Sequence, residues 1–284
     1  MNKTNKKTIK KGQYGILAII ALAVMCALPA QGQWLPEYMP KFSGNTFAAR
    51  VGEAFKVFAK AVKAGDLAAI QKIVKENPTS YVSIFSTKIQ NRNGQQVYPI
   101  CVAVERGYDD VIKYMTQNYK DIVKQKCGND DIWNVAIKNK KAHTAVLVWK
   151  LGTPFNMPPF VKVAYTVKDA RMLKTIIPGF LASKANPNQV YVDRYGMTEG
   201  DSFYEAARLQ NIHFITLLRD EMKKHNRVAQ ASVQVHHCPP LNNSDRYYVQ
   251  GLVDKVKQGN AAKLLEKLHV KVNVEAVETS YGCN

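Results

Sequence analysis

His236, His237 and Cys238 stand in a row, the one cluster in which this chain sets three metal-ligating residue types side by side. Zinc chemistry needs such donors to converge tetrahedrally. Neighbours on an extended chain point to opposite sides, so a single short run seldom closes a site. If the protein were an exported enzyme or a metal-dependent factor, its site would lie in the 228–250 insertion around these residues. His143 and His213 share another position, each three residues after a turn, where a helix faces solvent, and no proton-transfer role is expected of them. The chain has no Gly-rich phosphate loop, no H-E-x-x-H, no G-x-S-x-G and no CxxC. The expectation is a protein without catalytic residues, cofactor or metal.

The elements that would position any site follow a repeated pattern. Tyr98–Gly107 followed by Asp110–Met115 reads as helix, turn, helix, and a second copy starts 33 residues on, ending at Gly152. The pattern recurs with its inter-helix turn at Gly65, Gly107, Lys140, Lys168, Gln210 and Gly259. Seven residues before the turn stand Phe58, Ile100, Trp133, Val161, Phe203 and Leu252; five after it stand Ile70, Ile112, Ala145, Leu173, Ile215 and Leu264. Four before it come Ala61, Ala103, Ala136, Ala164 and Ala206, with Lys255 breaking the column. Apolar columns at fixed offsets describe stacked helix pairs, with a small residue where neighbouring helices come close.

This pattern resembles the ankyrin repeat, T-P-L-H-x-A-A-x-x-G-H followed by a V-V-x-L-L helix and a G-A ending. Pro99-Ile100-Cys101-Val102-Ala103 matches the opening, Ala206–Gln210 the end of helix one, and Asp193–Thr198 the hairpin loop. The chain departs from the family in having no motif histidine, in replacing the turn glycine in three of six copies, and in turn spacings of 42, 33, 28, 42 and 49 residues. The resemblance implies an all-α fold, an α-solenoid of about six stacked helix-turn-helix repeats with inserted loops. In that family Cys101 falls at a buried helix position, where it equally suits a small core hydrophobe or a disulfide.

Charge and the amino terminus bear on location. Of 284 residues 46% are hydrophobic, and the net charge is +18. Lys3, Lys6, Lys7, Lys10 and Lys11 precede an apolar run from Ile16 to Leu28 and then Pro29-Ala30-Gln31-Gly32, the layout of a signal peptide over residues 1–32, cleaved after Ala30 or Gly32. The run is short for a spanning helix, which needs about 20 apolar residues. Without those five lysines, 35 basic residues face 22 acidic ones, a surplus that favours anionic surfaces. The expectation is an exported protein, periplasmic or secreted, touching a membrane only through an uncleaved leader. Export also permits disulfides, and Cys101, Cys127, Cys238 and Cys283 allow three pairings. A Cys238–Cys283 bridge would staple the last helix pair.

In chain order, residues 33–44 read as an extended segment, and the repeat domain spans 45–284. A long capping helix starts near Asn45. Residues 79–97 form a loop or short hairpin, repeats two and three follow almost without interruption, repeat four ends at Pro178, and 179–200 are a second insertion. Repeat five runs from about Ser202 into Lys224. Residues 228–250 read as a long loop with at most a short strand, and 270–284 as a tail without assigned structure.

The function expected is a non-catalytic interaction scaffold binding a macromolecular partner on its concave face; an immunity or inhibitor protein is a special case. Ankyrin partners commonly meet the two residues before each turn. Here these include Lys63, Glu105-Arg106, Lys138-Asn139, Arg208-Leu209 and Lys257, with Arg194 and Tyr195 on a nearby hairpin. Lys63, Lys138, Arg208 and Lys257 would line one edge, so the partner is expected to be an acidic protein or an anionic envelope surface. Basic residues spread over most helices, with aromatics such as Trp133 and Phe203 in core columns, argue against nucleic acid. The expected state is a monomer.

Overall fold

The computed structural model describes residues 47–78, 81–191, 198–238 and 243–278. The helices are α1 (Phe47–Ala64), α2 (Leu67–Glu76), α3 (Tyr81–Ser86), α4 (Pro99–Arg106), α5 (Asp109–Asn118), α6 (Ile132–Lys138), α7 (Ala142–Lys150), α8 (Pro159–Thr166), α9 (Ala170–Ala182), α10 (Ser202–Arg208), α11 (Ile212–Lys224), α12 (Asn243–Gln258) and α13 (Asn260–Lys267). The strands are β1 (Ile89–Gln90), β2 (Gln96–Val97), β3 (Lys126–Cys127), β4 (Asp130–Asp131), β5 (Thr198–Gly200), β6 (Gln230–His237) and β7 (Lys271–Glu278). The protein is thus mostly helical with small sheets. Among the described residues no helix is long and apolar enough to cross a membrane.

The turn columns are physical. Gly65, Gly107, Lys140 and Gln210 all adopt left-handed backbone, with φ between 53° and 77°. In each case the next residue's N–H returns to the carbonyl of the alanine four before the turn: Asp66 to Ala61, Tyr108 to Ala103, Lys141 to Ala136 and Asn211 to Ala206, at 2.8–3.0 Å. This 6→1 bond satisfies a carbonyl that the end of each first helix would otherwise leave open. Glycine is needed twice over at Gly65, because a β-carbon there would lie 2.9 Å from the Tyr108 ring of the next pair. At Lys168 the turn takes another form, and Asn211 of the following pair completes it. Its side-chain amide donates to the carbonyls of Ala164 and Val167 at 3.0 and 2.9 Å.

The core runs continuously through the pairs. Phe58, Ile100, Trp133, Val161 and Phe203 are fully buried, as are Ile70, Ile112, Ala145, Leu173 and Ile215. First helices pack on first helices, α1 on α4, α4 on α6 and α8 on α10; second helices do likewise, α5 on α7, α7 on α9 and α9 on α11. Phe180 lies among Trp149, Trp133 and Phe160, with ring centroids 4.2–5.7 Å apart. That packing carries α9 through Pro178 to Ala182, beyond the expected stop. The removed hydrogen bond is outweighed because Phe180 and Leu181 are buried in the final turn.

Several expectations are corrected. The fold is not all-α: β5, β6 and β7 form one sheet in that order, β5–β6 antiparallel and β6–β7 parallel, with Val233 opposite both Gly200 and Val274. The supposed loop within 228–250 therefore holds an eight-residue strand, and the unassigned tail holds its partner. Ala231, Val233 and Val235 are buried while the residues between them are only half-buried. The last helix pair is displaced by one residue, since Val253 and Leu265 are buried rather than Leu252 and Leu264. Gly259 has φ −68° and precedes α13 as its N-cap. The order of packing changes there too, because α13, the second helix, meets α10, while α12 lies against the sheet. Repeats two and three are separated by a 3₁₀ turn (Lys120–Lys124) and the β3–β4 hairpin.

Candidate interaction groove

Two hairpins precede two first helices. In β1–β2 the Asn91 side chain accepts from the N–H groups of Asn93 and Gln95 at 2.9 and 3.0 Å, closing the turn that Gly94 completes. In β3–β4, Lys126 pairs with Asp131 and Cys127 with Asp130. Asp131 then caps α6 by accepting from the Asn134 N–H at 2.7 Å.

A disulfide joins these parts. Cys101 on α4 bonds Cys127 on β3, with Cα atoms 5.6 Å apart. This decides one pairing among those the sequence allowed, and Cys101 is both buried and bridged. Cys238 is also disulfide-bonded. Cys283, and the leader and extended segment over residues 1–44, lie outside the described residues.

Between the hairpins, α4 and α6 lies a groove of about 180 Å³, walled by Asn91, Gln95, Glu105, Asp130, Lys138 and Asn139 and floored by the disulfide. Three of the residues expected to meet a partner, Glu105, Lys138 and Asn139, are thereby brought together. Lys138 Nζ donates to Asp130 Oδ2 at 2.6 Å. Asn139, which is exposed, donates its amide to the Val135 carbonyl at 2.9 Å, so its side-chain oxygen is not used in that bond. Glu105 is half-buried and has no ion-pair partner among the described residues. The groove thus offers one uncompensated carboxylate, one compensated ion pair and several amides.

The other expected residues do different work. Arg106 Nη1 donates to the Lys63 carbonyl at 2.5 Å, and Tyr108 Oη reaches the same oxygen at 3.5 Å, so this arginine ties the first two pairs together. Arg208 Nη1 is shared by both oxygens of Glu205 at 3.1 Å. Glu205 is buried and accepts the Tyr165 hydroxyl at 2.7 Å. Burial, reinforced by that carboxylate, pushes the Tyr165 pKa up to about 12. Leu209 and Ile212 expose apolar surface beside this turn. Lys257 sits on α12, which does not continue the row of first helices. Arg194 and Tyr195 lie outside the described residues. Two of the four rungs expected to be free basic charges, Lys138 and Arg208, are therefore held by carboxylates.

The histidine run is split by the strand it occupies. His236 Nε2 stands 2.8 Å from Glu199 Oε2, without the alignment of a hydrogen bond; among the described residues neither buried atom has another polar partner. Cys238, being in a disulfide, offers no thiolate. Among the described residues no three His, Cys, Asp or Glu side chains converge as metal ligands would. Asp201, which belongs to no sequence motif, is the most connected buried carboxylate among the described residues. It accepts from Asn188 Nδ2 and from the N–H groups of Ser232, Phe203 and Tyr204 at 2.8–3.2 Å, fastening β6 to the start of α10. Its signal in the sequence was an aspartate just ahead of an apolar helical run.

No protein-family model matches this chain, and no curated protein matches it significantly.

Proposed function

We propose that this protein is a non-catalytic binding scaffold, an ankyrin-type α-solenoid closed at one end by a sheet, working in the envelope or the secreted space. A segment of another protein lies in the groove between the hairpins and the ends of α4 and α6. The observation that carries this reading is the gathering of Glu105, Lys138 and Asn139 around one groove whose walls are pinned by the Cys101–Cys127 bridge. A wall held covalently loses little freedom on binding, which favours recognition of an extended segment by amide and charge contacts. Because Lys138 is already paired, a mixed polar segment suits the groove better than a purely acidic one.

Capture from the envelope fraction of the producing cell tests this. Glu105→Lys combined with Asn139→Ala should abolish capture of the partner that the parent retains, with helix content unchanged. Lys138→Glu by itself should weaken capture, and most in low salt, where exposed charges are felt beyond about 10 Å. Capture unaffected by any of these three changes would remove the groove as the binding surface.

A further inference from the structure

The sheet, which packs on α10, α12 and α13, offers a second surface. Among the described residues β7 pairs only with β6, so its other edge presents a row of backbone donors and acceptors without a strand. This edge is eight residues long and contains no proline or glycine. Protein sheets usually blunt such an edge with a bulge, a proline or charged side chains, lysine above all. Here the exposed charges, Lys271, Glu275 and Glu278, have both signs, so a suitable register can pair Lys271 with a carboxylate instead of repelling.

Their spacing specifies an occupant. When a strand pairs antiparallel with its own copy about a two-fold axis normal to the sheet, facing residues must lie on the same face, so the axis passes through a residue. With the axis at Asn273, Lys271 faces Glu275 of the second copy, Val272 faces Val274, and Asn273 faces itself. Every pair within residues 271–275 is then matched, opposite charge on the exposed face and valine against valine on the face that packs towards the core. An axis at Val274 would set Lys271 against Val277. An axis at Glu275 would set that carboxylate against its own copy.

We infer that β7 is a homodimer edge, centred on Asn273, that joins two three-stranded sheets into one of six strands. The partner is a second copy of this chain, and the dimer carries two grooves. The inference does not depend on the groove's function.

Sedimentation of the purified full chain over a dilution series tests it. The parent should sediment as a dimer. Lys271→Glu alone or Glu275→Lys alone should give monomers, since each puts like charges face to face twice, and the double reversal should restore the dimer. Unchanged melting curves for these exposed substitutions would show that folding is intact. A parent that is monomeric at every concentration, or a dimer indifferent to either single reversal, would overturn the proposal. Register is read separately: Asn273→Cys should cross-link the dimer under mild oxidation and Glu278→Cys should not. Equal cross-linking at both positions would sink this register.

Discussion

The side chain of Asn211 ends a helix to which it does not belong, donating its amide to the Ala164 carbonyl at 3.0 Å and to that of Val167 at 2.9 Å. Its own oxygen meanwhile accepts from the Phe214 N–H at 3.3 Å, capping α11. Asn211→Ala leaves two buried carbonyls without donors and removes a cap, so it should lower stability by about 2–4 kcal/mol. Asn211→Asp keeps the cap but turns a buried acceptor towards both carbonyls, so it should be no more stable than the alanine variant. Urea unfolding of the three proteins decides; an alanine variant within 0.5 kcal/mol of the parent, roughly the spread of ordinary surface changes, would show the junction is dispensable.

Trp133 is fully buried, edge-on to Phe155 at 5.2 Å and tilted against Phe180 at 5.5 Å, and its Nε1 has no hydrogen-bond partner among the described residues. Trp133→Ala should cost roughly 3–5 kcal/mol. Trp133→Phe also removes an orphaned donor, so it should cost distinctly less. Thermal unfolding separates them, and an alanine variant melting within about 2 °C of the parent would mean the core column is misplaced.

Opening the Cys101–Cys127 bridge frees a loop whose ends are 26 residues apart. Chain entropy sets the loss at roughly 3.5 kcal/mol. The double Cys→Ser variant should unfold at lower urea. It should also lose partner capture in conditions where it is still folded, because the β3–β4 wall is no longer held. Loss of stability with full capture would separate the bridge from binding.

Burial pushes the Asp201 carboxyl up to about 6 from an ordinary 3.8, against four hydrogen bonds that lower it. Between those values the folded state binds the extra proton, so this group's contribution is fully present below the unfolded value and is lost as pH rises through about 6. A shift of that size corresponds to at most about 3 kcal/mol. Unfolding free energies of the parent and Asp201→Asn at pH 7.5 and pH 5 should differ in slope, the parent gaining more on acidification. Parallel slopes would refute it.

The helix pairs were legible because burial and turn geometry both act on neighbouring residues. A fixed offset links Phe58 to Gly65 and Phe203 to Gln210. The last pair misled because apolar residues flank the true positions: Leu252 adjoins Val253 and Leu264 adjoins Leu265, so a one-residue slip keeps the pattern. Gly259, taken as a turn glycine, serves as an N-cap. Strand β7 was invisible because its alternation acquires meaning only beside β6, forty-one residues upstream by register. In the groove, Glu105, Lys138 and Asn139 were readable from the turn spacing. Asp130 was not, since two-residue strands carry no periodicity, and spacing alone could not choose among the cysteine pairings.

The reversed packing at α13, with the sheet behind it, gives the array a direction in which it can grow. Duplication of the α4–α5 pair with the hairpin before it would again set first helix on first helix, as α1, α4 and α6 already are, and would carry a second copy of that hairpin into the array. Beyond α10 a copied pair would find no matching face, because α13 and β6 already occupy that end. Descendants of this chain should therefore vary in the number of middle pairs while inheriting the terminal block as one unit.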